Sequence, residues 1–240
     1  MSNVITEFFT LVIMQLKMIK AYLPIFLFFS ILFPLGFMLV FGYISVSSLT
    51  PYIVSGTITF YISVGVLTSV AQSLAFERNA GRFSLMIASG VPRELYAISI
   101  ALSNGISTLI IIPIILALGH YILHVEIKSI PFLIIALISS IFMSSMLGMT
   151  LGLGIKNIHA VNQYSTIIGF VLSFFAPVYF PLTFIPLPYR YLVFIEPTTY
   201  VSQALYYSLV GKIESILWSL GILIFGFFFV FLNNYIIKRQ

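Results

Sequence analysis

Six apolar stretches, each close to the length of a bilayer crossing and none containing Asp, Glu, Lys or Arg, constrain this chain more than any motif in it. They run from Ala21 to Ile44, Tyr52 to Ala75, Tyr96 to Leu118, Pro131 to Ile155, Tyr164 to about Phe180, and Ile216 to Ile237. A hydrocarbon core takes roughly 20 residues of helix to cross. The runs are continuous rather than alternating, which excludes barrel strands. Charged residues are only 7% of the chain, where a soluble domain carries about a quarter, so this chain cannot cover a water-facing surface. The expectation is an all-α integral membrane protein of six transmembrane helices, with residues 1–240 forming a single domain. The first run is too long for a signal-peptide core and no small-residue cleavage site follows it, so it is expected to remain in the mature protein. The absence of Cys excludes disulfides, Cys-ligated zinc and thiol chemistry.

Orientation follows from the basic residues between the runs. Lys17, Lys20, Arg78, Arg82, Arg93, Lys156, Lys238 and Arg239 fall in one set of gaps, and Lys128, Arg190 and Lys212 in the other. The richer set belongs in the cytoplasm, which predicts a multi-pass protein of the cell membrane with both termini inside. The net charge of +5 reflects this loop bias rather than nucleic-acid binding.

Three segments break the apolar pattern. The first, residues 3–20, places Ile5, Phe8, Phe9, Val12, Leu16 and Ile19 on one helical face, with Asn3, Thr6, Glu7, Thr10 and Lys17 opposite. This predicts an amphipathic helix lying in the headgroup plane. The second, residues 76–94, is a charged island holding Glu77, Arg78, Arg82, Arg93 and Glu94 between two spans. It must face water or a soluble partner, and is the handle by which something outside the membrane could move something inside it. The third, residues 181–210 with the approach from Pro177, carries Pro at 177, 181, 186, 188 and 197 between pieces too short to span. Broken backbone at membrane depth survives only under protein cover or in a cavity, so this segment is read as re-entrant from the outer face. Within the fourth run, Ser140, Ser144, Gly148 and Gly152 form a small-residue stripe that lets a neighbouring helix approach closely.

Catalytic constellations are thin. No GxxxxGK[ST] phosphate loop exists, so the chain cannot hydrolyse ATP by that route. His120 and His124, four apart, with Glu126 beyond, lack an HEXXH context and read as interfacial residues. The spans carry none of the ionisable residues that mark proton or ion relays, against a proton- or sodium-coupled carrier. The power source is therefore expected to be another protein.

Here the residues carry a resemblance. Glu77-Arg78-x-x-Gly81-x-x-x-Leu85, followed by Pro92-Arg93, resembles the loop after the second span in the permease subunits of ABC-2 type transporters. Pro181-Leu182-Thr183-Phe184-Ile185-Pro186, with Glu196-Pro197-Thr198-Thr199-Tyr200, is similar to the extracellular re-entrant region of that family. Glu196 departs from the Asn often found there, and Ser84 from an acidic residue. The resemblance implies an ABC-2, type V exporter-like fold that pairs as a homodimer or heterodimer, with a separate ABC ATPase subunit docked beneath. ATP and Mg would be bound on that partner, and this chain would bind no cofactor and no metal. It further implies that Glu77, Arg78, Gly81, Arg82, Leu85, Pro92 and Arg93 couple to the ATPase. The second and fifth spans would line the substrate path, with Thr57, Tyr61 and Thr68 facing Phe170 and Phe174. Spacings of four and seven put the first three on one helix face. The implied cargo is hydrophobic or amphipathic, a drug or antibiotic or a lipid-linked compound, moved out of the cell through a chain that sits among membrane lipids and is not itself an enzyme. The alternative is a secondary carrier or channel lined by residues such as Ser69, Gln72, Asn104 and Thr108, working without an ATPase.

Overall fold

A computed structural model of the chain describes residues 4–20, 23–44 and 49–239. Asn3, Ala21 and Tyr22, which the sequence assigns to the amphipathic helix and the first span, lie outside these. Among the described residues there is no strand. The helices are α1 (Val4–Lys20), α2 (Leu23–Ile44), α3 (Thr50–Phe60), α4 (Leu67–Asn79), α5 (Arg82–Ala88), α6 (Arg93–Leu123), α7 (Ile130–Gly154), α8 (Ile158–Phe175), α9 (Pro197–Leu209) and α10 (Glu214–Lys238). Among the described residues five rods are long and apolar enough to cross a membrane: Thr50–Asn79, Arg93–Leu123, Ile130–Gly154, Ile158–Phe175 and Glu214–Lys238. The chain is a multi-pass membrane protein.

The rod Thr50–Asn79 is the most buried of the five. It joins α3 to α4 through a π-helical turn, Tyr61–Val66. Three of its threonines bond within their own helix. Thr57, Thr59 and Thr68 donate to the carbonyls of Ile53 (2.7 Å), Ser55 (2.7 Å) and Val64 (2.6 Å) in their own helix. Folding a hydroxyl back onto the preceding turn lets a helix carry Thr and Ser through an apolar interior.

Close approach explains why α7 lies against this rod. A Cβ on Gly148 would stand 2.5 Å from the Leu67 carbonyl oxygen, and one on Gly152 would stand 2.9 Å from that of Ala71. The small-residue stripe of the fourth run therefore packs on α4 of the same chain, which the sequence alone left open. On its other side α7 carries α10, where Asn233, buried, donates to the Met146 carbonyl at 2.9 Å. Gly226 of α10 admits the Phe142 ring in the same seam. Gly169 lets α8 approach the π turn at Val64.

After α8 the chain is irregular until α9. Short 3-10 turns occupy Leu182–Phe184 and Tyr189–Ile195, neither with a buried residue. Helix α9 is different: Val201, Ala204, Leu205 and Leu209 are fully buried against α3, α7 and α10. It runs antiparallel to α10. Tyr200 packs on Trp218 and Phe225, the Ala204 carbonyl accepts from Ser215, and at the far end the Leu209 carbonyl accepts from the Lys128 N–H. Glu196 starts it, its carboxylate accepting the N–H groups of Thr198 (3.0 Å) and Thr199 (2.9 Å). An Asn at that position could cap the helix in the same way.

The seam between α4 and α7 generates a stability prediction. Gly148→Leu must push back a backbone carbonyl, which overpacks the seam by about 1–3 kcal/mol. The thermal unfolding midpoint of the detergent-solubilised chain should fall. Gly36→Leu, whose Cβ would meet nothing within 4 Å, should leave it unchanged; equal losses from the two would show that the seam is not tight.

Candidate functional site

Between α4 and α6 the chain makes a tight detour. Gly81 (φ 74°) turns it out of α4, seven residues form α5, and Gly90 (φ 98°) turns it back toward α6. Both glycines hold the left-handed conformation that a Cβ penalises. The pieces are therefore short and sharply joined, and α5 hangs across the ends of two spanning helices.

Glu77, on the last turn of α4, is only 2% exposed. Its carboxylate takes a forked grip from Arg82, Nε at 3.0 and 3.1 Å and a terminal guanidinium nitrogen at 2.5 Å, and has a second partner in the Tyr96 hydroxyl at 2.7 Å. Bidentate, charge-assisted bonds of this kind are among the strongest polar contacts available. The hydrogen bonds it donates to Glu77 hold the pKa of the Arg82 guanidinium above its ordinary value. Tyr96, fully buried at the first turn of α6, also accepts from Gln15 of α1 at 3.4 Å and packs its ring against Phe83 of α5. One carboxylate thus ties α4, α5 and α6 together, and through Tyr96 it reaches α1. That helix packs on the first turns of α6 with Leu11, Val12 and Gln15 buried, and turns Phe9 and Ile13 outward.

Arg78 points the other way. One guanidinium nitrogen donates to the carbonyls of Gly152 (2.6 Å), Leu153 (3.1 Å) and Ile155 (3.2 Å). The last carbonyls of a helix lack partners within it and carry the negative end of its dipole, so a cation belongs there. Arg78 caps α7 and pins its end to α4.

The island's residues therefore divide. Glu77, Arg78 and Arg82 turn inward and build the joint. Gly81, Leu85, Pro92 and Arg93 are exposed, and Leu85 at 68% is the most exposed apolar side chain of α5. Beside the joint opens a cavity of about 460 Å³, lined by Arg78, Asn79, Ser84, Arg93 and Lys156 above Phe83 and Leu153, with no carboxylate in its wall.

The residues expected along a substrate path are presented unevenly. Thr57 is 1% exposed, while Tyr61 and Thr68 are half-buried. The π turn between them absorbs an extra residue, about 100° of rotation on a 3.6-residue helix, so the spacing of four and seven does not carry one face through it. Phe170 stacks on Phe174 and meets Phe60 of α3 edge-on, and Phe174 is 70% exposed. The two rods expected to flank a path, Thr50–Asn79 and α8, do pack on each other. His124 ends α6 with φ 53°, so His120 and His124 do not project from one regular turn.

Sequence reasoning missed Tyr96, Gln15 and Lys156. Tyr96 was read as the first residue of a span, though a Tyr there, one turn past Pro92, could have been seen as a hydroxyl reaching back to the island. Gln15 lies three and four residues beyond Val12 and Leu11, which marks it as sharing their buried face.

The family model described as ABC-2 type transporter matches residues 6–210, a stretch that includes α1, the joint, α5 and α9. No curated protein matches the chain.

The joint and the exposed face of α5 should separate by experiment. Glu77→Ala leaves Tyr96 and Arg82 without their acceptor. Because Arg82 is partly solvated, the loss should be about 1–3 kcal/mol rather than that of a fully buried pair. The unfolding midpoint should fall in Glu77→Ala and hold in Leu85→Ala, and an unchanged midpoint in the first would show that the joint is not structural.

Proposed function

We propose that this chain, which belongs to the ABC-2 type transporter family, is the membrane subunit of an ATP-driven exporter. Its cargo is a hydrophobic or amphipathic compound, drug- or antibiotic-like or lipid-linked, and ATP and Mg are handled by a separate ATPase subunit docked at α5. In this reading α2 supplies a sixth span, both termini are cytoplasmic, and α9 with the segment before it re-enters from the outer face. A second permease subunit covers the side of α8 where Tyr164, Ile167, Phe174 and Phe175 are exposed among the described residues.

The observation that carries the reading is the joint around Glu77. A short helix presenting Leu85 outward and fixed at its base to the ends of two spans, by a fork of hydrogen bonds rather than by loops, passes a push from below into tilts of those spans. The short 3-10 turns before α9 and its antiparallel course beside α10 support re-entry. A carrier or channel is less well supported. Of its polar candidates, Ser69 donates to Val66, Asn104 to Ile100 and Thr108 to Asn104, each within its own helix, which leaves little polar surface to line a path.

Two experiments test this. Cysteines placed at exposed Asn79 and His159 of this Cys-free chain should react with impermeant reagent only from the cytoplasm, and one at Glu126 only from outside; reaction of Asn79→Cys from outside would overturn the topology. An ATPase subunit should co-purify with the unaltered chain and show transport-stimulated hydrolysis. Leu85→Asp should lower that stimulation at least tenfold while the chain stays folded, a loss of about 1.4 kcal/mol of coupling or more. Full stimulation in Leu85→Asp would remove α5 from the docking surface.

A further inference from the structure

Arg93 and Lys156, in the cationic cavity beside the joint, take no part in the hydrogen bonds that build it. Of the cavity's three cations, only Arg78 has protein acceptors, and these are neutral carbonyls that leave its charge uncompensated. The side chains of Arg93 and Lys156, at the N-terminus of α6 and just past the C-terminus of α7, have no hydrogen bond or ion pair with any described residue. Three positive groups converge on a cavity of about 460 Å³ with no carboxylate in its wall. Such a wall has a net charge that an anion would neutralise.

A second feature lies on the same two helices. An apolar groove of about 320 Å³ runs between α6 and α7, walled by Ile98, Leu102 and Leu109 on one side and Ile138, Phe142 and Met146 on the other. Ile98 is five residues beyond Arg93 on α6, and Met146 is seven residues before Leu153 on α7. At 1.5 Å per residue the groove begins roughly 8–10 Å deeper along the bundle than Arg93 and Leu153, and deeper still than Lys156. Cations at the ends of the spans with an apolar trough just below them match the order of groups in a membrane amphiphile, phosphate first and acyl chain next.

We infer that the cavity binds the phosphate of an anionic phospholipid whose acyl chain lies in the groove between α6 and α7. Arg93 and Lys156 supply the counter-charge and Arg78 a fixed positive wall. The Gly152 and Leu153 carbonyls, already taken by Arg78, do not oppose the phosphate. A free phosphate would satisfy the cavity and leave the groove unused, and an acidic protein surface would do the same; the lipid uses both. The site lies apart from the path flanked by α8, and its occupant holds the ends of α6 and α7 together beside the joint.

The test exploits the single tryptophan, Trp218. In a Trp218→Phe background, Leu102→Trp places a reporter in the groove of the full chain, reconstituted in phosphatidylcholine vesicles. Phosphatidylglycerol with brominated chains should quench it at a mole fraction roughly tenfold lower than brominated phosphatidylcholine does. Arg93→Gln with Lys156→Gln should abolish the preference. Lys156→Gln alone, a change at an exposed side chain that contacts no acceptor, should reduce it several-fold and serves if the double variant does not fold. Equal quenching by the two lipids, or a preference that survives the substitutions, overturns the inference. Complete loss of the preference in millimolar inorganic phosphate would assign the cavity to free phosphate and overturn the lipid. If the lipids quench equally and the double substitution instead weakens capture of the ATPase subunit, the cavity is a protein dock.

Discussion

The Glu77 carboxylate has almost no access to water, and at the charged end of the bundle the rest of the structure is arranged around that fact. A buried carboxylate without partners would neutralise or unfold its surroundings. Here it has two, and each belongs to a different element. Arg82 comes from α5 and Tyr96 from α6, so satisfying one charge fixes the relative placement of three helices. The two left-handed glycines make this possible: the tight turn at Gly81 brings Arg82 back over the residue five positions before it, and the one at Gly90 returns the chain to α6 and Tyr96. Arg78 does for α7 what Glu77 does for α5. Its guanidinium answers orphan carbonyls at a helix end, and so the ends of α4 and α7 are locked where their glycine-lined seam has already brought them close.

Beyond this end, many of the polar side chains of the spans bond to backbone carbonyls of the bundle itself. Thr and Ser hydroxyls fold back on the preceding turn, and Asn233 finds a carbonyl across the α7–α10 seam. Helices built this way can be polar enough to pack with small residues and still ask nothing of the lipid. The consequence for transport is that the spans hold no fixed charge for a cargo to meet. Under the proposed function, movement of a substrate would follow movement of helices, and the joint would be where those helices are moved from outside.

Much of this was legible in the sequence, and where it was not, the reason is physical. Hydropathy located the long rods because a run of twenty apolar residues has few other fates, and the small-residue stripe of α7 announced a close neighbour because glycine and serine at spacings of four have no other common use on one face. The Pro-rich stretch marked the irregular chain before α9. The π turn at Tyr61–Val66 was invisible: nothing in Tyr-Ile-Ser-Val-Gly-Val departs from an ordinary apolar helix, yet it rotates Thr68 away from the face that spacing assigned it. The charged island stands out in the sequence between two apolar runs, but its charge does not mean exposure. Glu77 shows why, since a charge with an Arg five residues on and a Tyr across a turn can be buried, and only the three-dimensional course of Gly81 and Gly90 reveals that both are in reach.

The relay from α5 to α1 is unequal along its length. The fork between Arg82 and Glu77 and the bond from Tyr96 to Glu77 are short, from 2.5 to 3.1 Å, while the link from Gln15 to Tyr96 is 3.4 Å. Hydrogen bonds weaken steeply near the upper end of that range. A displacement of α5 is therefore transmitted to α4 and α6 nearly as a rigid body, whereas α1 is held mainly by the packing of Leu11 and Val12, and by a Ser103 hydroxyl that reaches the Val12 carbonyl at 3.3 Å. Apolar packing tolerates sliding better than a bidentate ion pair does. In this arrangement α1 can act as a bearing along the first turns of α6 while α4, α5 and α6 move together, which is what a lever anchored in two spans and steadied by an amphipathic helix requires.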